Sequence, residues 1–214
     1  MRVKLKQETR DLFAASFSIL CDNERIGGVD VQGKLGSPES IVSVTLLTEN
    51  VVLRREHKVD KKGNDAYRPY EILSNERKRG EVYQATKRKG LFKSYGYQYA
   101  CLDNIEYSMF PIGFGDEGAK NPIYCDEEQI ALVKKKAVIT DDMHDFEIIV
   151  KNRSYLMISI IISSYIYAKA FFKPGDLMKK GTIKSSTITT EKDLLSKYDA
   201  SFEKNIKRMR RENI

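Results

Sequence analysis

The chain has 214 residues, 41% hydrophobic and 31% charged, which is enough to bury one substantial core and favours one large domain. A formal charge of +7 makes phospholipid surfaces, phosphorylated ligands and nucleic acid plausible partners, and fits a merely soluble basic protein equally well. Cys21, Cys101 and Cys125 are widely spaced and odd in number, with no CxxC pair; this suggests neither a disulfide framework nor a zinc site, and buried free thiols in a reducing cytosol are expected.

The N-terminal residues MRVKLKQETRD are positively charged with no apolar segment behind them, so they do not read as a secretory signal. From Leu12 to Cys21, Phe13, Ala15, Phe17 and Ile19 alternate with smaller residues, which is a strand pattern. Asp22 to Arg25 is a turn and Ile26 to Gln32 returns as the second arm of a hairpin, with Gly27-Gly28 placed where a bulge would bend it. Gly33 to Glu39 is a loop. Ile41 to Leu47 and Val51 to Arg55 are strands around Thr48-Glu49-Asn50. Glu56 to Asp65 is polar and aperiodic, a long exposed connection inside one folding unit. Short strands follow at Tyr70 to Leu73, Glu81 to Thr86, Tyr95 to Tyr99, Ile105 to Ile112, Pro122 to Cys125, Gln129 to Val133 and Phe146 to Val150. Many short strands with turns between them indicate a barrel or a sandwich.

Tyr155 to Phe172, YLMISIIISSYIYAKAFF, decides between the two. It is apolar on every side, so as a helix it must be buried in a core or a membrane. Its isoleucines also suit strands, but buried strands run about 4–8 residues and this run is roughly twice that. Its uncharged part ends at Lys169, short of the ~20 residues that cross a bilayer, so a helix enclosed by the protein's own sheet is expected and a short membrane anchor is the rival. A barrel has room for such a helix. Asn152 or Ser154 can cap its start, Lys169 and Lys173 suit its negative end, and Pro174-Gly175 stops it. Ser159 and Ser163 share a face; they either admit another backbone or bond back to the preceding turn.

The segments GEVYQATKRKGLFKSYGYQYA, PIYCDEEQIALVKKK and HDFEIIV leading into the apolar helix resemble the tubby C-terminal-like superfamily, which includes plant LURP-one-related proteins, phospholipid scramblases and many bacterial proteins. The resemblance spans Leu12 to Phe172 and rests on the order of elements. It implies a closed antiparallel barrel of about twelve strands with a hydrophobic helix along its axis. Two departures stand out: the tubby fold normally ends at the central helix, whereas this chain continues to Ile214, and no scramblase-like calcium segment or tubby phosphoinositide residue can be matched.

Beyond the helix, Lys173 to Ser186 is a basic, Gly/Ser-containing linker. Thr190-Glu191-Lys192-Asp193 looks like a capping box, and Leu194, Leu195, Tyr198, Phe202, Ile206 and Met209 recur at helical spacing. One amphipathic helix over Thr190 to Arg211 is expected. It packs on its own domain, or associates with itself or a partner through Leu195, Tyr198, Phe202, Ile206 and Met209, or lies on a membrane surface. The expected division is therefore residues 1–173 as barrel, with the helix at 154–172, and 174–214 as linker and amphipathic helix.

Gly113 to Gly118 spells GxGxxG, but a strand follows it and Asp116 and Glu117 would repel an anion, so it reads as a glycine-rich turn. Asp141, Asp142, His144 and Asp145 can hold a divalent cation or simply be a solvated turn, and the second is expected. No nucleophile and base are paired in sequence, and no cofactor motif appears. The basic runs Arg77-Lys78-Arg79, Lys87-Arg88-Lys89, Lys134-Lys135-Lys136 and Lys179-Lys180 sit near predicted strand ends, where a barrel can gather them on one rim as an anion or lipid site. Tyr95, Tyr97 and Tyr99 offer stacking faces to nucleic acid, though packing against the barrel is the simpler account and no nucleic acid is expected. The expectation is a mainly β protein with a buried helix, non-catalytic, without cofactor or metal. It is cytoplasmic and peripheral at the inner membrane face, binding anionic phospholipid or assembling through its C-terminal helix.

Overall fold

The computed structural model describes residues 1–35, 40–55, 69–89, 93–185, 188–189 and 192–212. The expected connection over Glu56 to Asp65, most of the Gly33 to Glu39 loop and the capping residues Thr190 and Glu191 lie outside these.

The strands are β1 (Arg2–Arg10), β2 (Ala14–Cys21), β3 (Glu24–Gly33), β4 (Ser40–Leu46), β5 (Glu49–Arg55), β6 (Tyr70–Ser74), β7 (Arg77–Lys89), β8 (Lys93–Leu102), β9 (Ile105–Met109), β10 (Phe114–Gly115), β11 (Ala119–Cys125), β12 (Glu128–Lys135), β13 (Val138–Thr140) and β14 (Phe146–Val150). Then come helix α1 (Leu156–Ile166), strands β15 (Ile183–Ser185) and β16 (Ile188–Thr189), and helices α2 (Lys192–Leu195) and α3 (Phe202–Glu212). Twelve strands close into an antiparallel barrel in the order β1-β14-β12-β11-β9-β8-β7-β6-β5-β4-β3-β2. Closure leaves this sheet without an exposed edge, a hazard open sheets must manage in other ways.

A strand to which the sequence reading assigned nothing, β1, makes the closure. In β1, Val3, Leu5 and Gln7 face inward between exposed Lys4 and Lys6, and the strand pairs β14 on one side and β2 on the other. The lysines that give this segment its charge are the solvent half of a period-two pattern. At β2 the strand begins one residue later than Phe13, whose ring is exposed.

One end of the barrel is made of tight hairpins. Asp22-Asn23, Asn75-Glu76 and Asp103-Asn104 all have positive φ, as type I′ turns require, and Asn and Asp tolerate that conformation best after glycine. The β4–β5 turn falls at Leu47-Thr48, one residue before the predicted position. Extra residues at Ile26, Arg79 and Ile130 shift the register just beyond the β2–β3, β6–β7 and β11–β12 turns, and such bulges supply the curvature that closure needs. The predicted bulge at Gly27-Gly28 is thus at the neighbouring Ile26. Gly27 serves instead as a close approach, since a Cβ there would lie 2.2 Å from the Thr45 carbonyl oxygen.

The core is a single cluster drawn from all twelve barrel strands and the helix. Every residue from Leu156 to Tyr165 is buried, and α1 touches β4, β8, β12 and β14, which lie on different sides of the ring. Arg153–Phe171 is long and apolar enough to cross a membrane on length and composition, but here the barrel encloses most of it. Asn152 accepts from the Ser154 backbone N–H at 3.2 Å to open it. Ser159 Oγ donates to the Tyr155 carbonyl and Ser163 Oγ to the Ser159 carbonyl, both at 2.7 Å, so the serines satisfy themselves within the helix. A wider π turn over Tyr167–Phe171 ends it, with Tyr167 edge-on to Phe17 at 4.6 Å. The three cysteines are free and half-buried, less enclosed than expected.

The tail is not one amphipathic helix. It is broken between α2 and α3, where Asp199 Oδ1 accepts from the Ser201 backbone N–H at 2.8 Å and so restarts the helix at Phe202. Before the break the chain adds two short ladders to the outside of the barrel, β15 on β13 and β16 on β10.

Candidate anion-binding surfaces

Alternating strand directions place the basic runs at opposite ends. Arg77, Lys78 and Arg79 start β7 at the tight-turn end, while Lys87, Arg88 and Lys89 finish it at the end where α1 stops. Lys134, Lys135 and Lys136 share the second end, but β8, β9 and β11 separate β12 from β7, so the runs do not merge into one patch. This corrects the expectation of a single basic rim: strand direction puts the first run at the far end, and strand order keeps the other two apart.

Two of the three cations in the first run are neutralised, and Arg77 is exposed with no carboxylate partner among the described residues. The Arg79 guanidinium bonds Asp103 (2.9 Å from Nε) and Glu49, which hold it well above its usual range, and in return Arg79 depresses the Asp103 carboxyl. Lys78 lies 3.2 Å from Glu71 and 3.4 Å from Glu81, and both raise its pKa. At the other end Lys87, Arg88 and Lys136 are exposed and touch no carboxylate among the described residues; the Lys89 side chain lies outside them.

A groove of about 780 Å³ runs along the outside of β1, β12 and β14, beneath β13. Its cations are mostly spent: Lys134 pairs with Glu147 at 3.0 Å and Glu203 at 3.2 Å, Lys4 with Asp145 at 2.9 Å and Arg2 with Glu147 at 3.0 Å. Burial opposes the charge on Lys134, but the two glutamates prevail and its pKa rises. Lys135 differs. It shares the inward parity of Ala131 and Val133, is 8% exposed, and burial lowers its pKa.

The acidic turn is a clasp. Asp142 holds the Lys184 ammonium and accepts from the Lys179 N–H at 3.0 Å, Asp141 accepts from the Gly181 N–H at 2.5 Å, and Asp145 accepts from the Gln7 N–H at 3.0 Å. The Lys184 ammonium pulls the Asp142 carboxyl below its ordinary range. The carboxylates are therefore spent on different partners, Asp141 and Asp142 on the tail and Asp145 on β1; among the described residues no group of three His, Cys, Asp or Glu is placed to hold a metal ion. His144 turns away into the barrel, its ring stacked on Phe171 at 4.4 Å.

Burial, reinforced by Lys135 and Arg10, lowers the His144 pKa from 6.5 to about 3. The unfolded chain therefore binds a proton that the folded chain does not between about pH 6.5 and 3, and stability is lost as pH falls through that window. Urea midpoints between pH 7 and 4 should fall steeply in the native protein and less steeply in His144→Phe, which has no proton to gain. Equal slopes would show that His144 does not titrate as described.

Tyr95, Tyr97 and Tyr99 point outward from β8, opposite in parity to buried Ala100 and Leu102. Tyr95 and Tyr97 pack with Phe110 and are covered by Leu194 of α2, while Tyr99 donates to Glu106 at 2.8 Å. Phe202 and Ile206 are buried on Leu132 and Ile149 of the outer barrel wall, with Tyr198 beside them. The stripe expected to meet a partner is thus largely occupied: Leu195 is the exposed member, and the Met209 side chain lies outside the described residues.

No protein-family model, curated protein or solved structure matches the chain. Its class is accordingly defined by architecture: a closed, helix-cored β-barrel with a tail strapped along the outside, and exposed unpaired cations at the end where the helix stops.

Proposed function

We propose that this protein is a non-catalytic binding module of tubby-like type that recognises anionic phospholipid headgroups at the inner face of a membrane. The observation that carries this reading is the asymmetry of the two ends: at one, Arg79 and Lys78 are matched by carboxylates and Arg77 alone is left over, whereas at the other Lys87, Arg88 and Lys136 all stand exposed without carboxylates among the described residues. Lys173, just past the helix, is exposed at the same end. Cations of this kind gain about 1 kcal/mol each near an anionic bilayer, provided they are not already paired. The resemblance to the tubby superfamily, which implies a barrel of this kind, supports the same reading. With α1 filling the interior, a lipid would meet the barrel end-on and not enter its axis.

Flotation with vesicles of phosphatidylcholine alone or with added phosphatidylserine tests it. Binding is expected to the anionic vesicles only, to weaken on the order of 100-fold when Lys87, Arg88 and Lys136 are all changed to Glu, and to survive Arg77→Glu. Absence from both kinds of vesicle would overturn the reading.

A further inference from the structure

Just inside the end where α1 stops, three basic side chains from distant parts of the sequence meet. The bulge at Glu8 reverses the parity of β1, so that Arg10, paired with Ala15, points into the barrel as Gln7 does. Arg10 gives one hydrogen bond, 3.4 Å to the Asp142 carbonyl, and its Nε is buried with no partner. His144 is 6% exposed; its backbone N–H is held by Gln7 Oε1 at 2.7 Å, while its ring Nδ1 is also buried with no partner. Lys135 lies over the same Phe171 ring on which His144 stacks, its Nζ 4.8 Å from the centroid and 3.4 Å from the Lys136 carbonyl, with no carboxylate of the described residues in ion-pair range.

The local charge does not balance. Arg10, Lys135 and Lys184 all act on His144, and the carboxylate that acts with them is Asp142, already committed to Lys184 and the Lys179 N–H. A buried ammonium without a counter-ion is costly, and so is each buried polar atom left unbonded. A small anion would answer all three deficits together, by neutralising Lys135, accepting from Arg10 Nε and accepting from the Nδ1–H of the neutral His144 ring. Lys135 and Met143 both line the 780 Å³ groove, which gives a route in from solvent.

We propose that Arg10, Lys135 and His144 form an internal binding site for a small oxyanion of the phosphate class at the mouth of the barrel, beside the last turn of the helix. The oxyanion is either free or the phosphate of a headgroup presented to that end. In the second case the site deepens the headgroup reading above, and in the first it stands apart from it.

Isothermal titration of the full-length protein with inorganic phosphate, at ionic strength matched with chloride, tests the site directly. Saturable binding is expected, weakened about tenfold or more in Lys135→Met and in Arg10→Gln, since each removes a charge-assisted bond. The His144 ring resonances should move with phosphate and follow the same isotherm. Arg10 lies at the margin of the core, so its variant keeps the test open if Lys135→Met fails to fold. No saturable binding, or binding unchanged in both variants, overturns the site. Vesicles containing phosphatidic acid separate the sources: capture that both variants lose places the headgroup phosphate in the mouth, while phosphate binding without vesicle capture marks a free oxyanion. Vesicle capture without phosphate binding overturns this site and leaves the surface reading standing.

Discussion

Ile161→Asp is expected to yield no folded protein, and Ile161→Ala to lose about 3 kcal/mol, from a range of roughly 2–5 for such truncations. Ile161 is 0% exposed at the middle of a helix with no polar side, and its neighbours Ile160 and Ile162 are equally enclosed. The alanine variant loses the transfer free energy of the deleted carbons, and it also leaves a void that twelve hydrogen-bonded strands cannot collapse into. The aspartate is worse, because its carboxylate would lie in an apolar cluster and must either take a proton or open the barrel. Against a typical stability of about 5–15 kcal/mol the first should fold with a lowered urea midpoint, and the second should show no near-ultraviolet dichroism. Native-like midpoints for both would mean that the helix is not the core.

The second large effect comes from a single methyl group. In Gly80→Ala the new Cβ would sit 1.8 Å from the Cys101 carbonyl oxygen and 2.7 Å from its carbon. Both are backbone atoms of β8, pinned by the longest ladder in the barrel, and Gly80 is also paired to Ile72 of β6, so neither neighbour can yield alone. A loss of about 2–4 kcal/mol is expected, in line with other forced overpacking in cores. Gly96→Ala in the same hairpin is the control, since its Cβ would meet the Gln84 amide nitrogen at 3.1 Å, the far end of a side chain that can swing away. That variant should stay within about 0.5 kcal/mol of the native protein, or gain slightly from the reduced freedom of the unfolded chain. Equal midpoints for the two variants would show that β7 and β8 do not approach as closely as described.

What was legible in the sequence was whatever depends on local pattern. Tyr155 to Phe172 announces itself because no face of it can meet water, and Phe17, Ile19, Val29 and Val31 carry the period of two that a barrel wall needs. β1 was not legible. Its inward residues are Val3, Leu5 and a glutamine, and its partner β14 lies far along the chain. The tail misled in the opposite way: Leu194 to Met209 keeps helical spacing across a break that Asp199 and Ser201 make with their own side chains and backbone. β15 and β16 exist only because β13 and β10 offer them an edge.

The sites divide along the same line. The basic runs were visible as text, but which of them keep free charge depends on cross-strand neighbours such as Glu49, Glu71 and Asp103, which no run of letters displays. Arg10, Lys135 and His144 come together only through topology. Their one trace in sequence is a lysine continuing the apolar alternation of QIALVKKK, where an inward position would ordinarily be hydrophobic.

Amide hydrogen exchange across Ile158 to Tyr165 in detergent-free buffer, followed by mass spectrometry, is the most direct measurement of whether the barrel sheathes the helix. Exchange only through global unfolding is expected, as slow as that of the central strands β4 and β12. Exchange of this segment faster than the strands around it, or protection that appears only once detergent or lipid is added, would contradict the account.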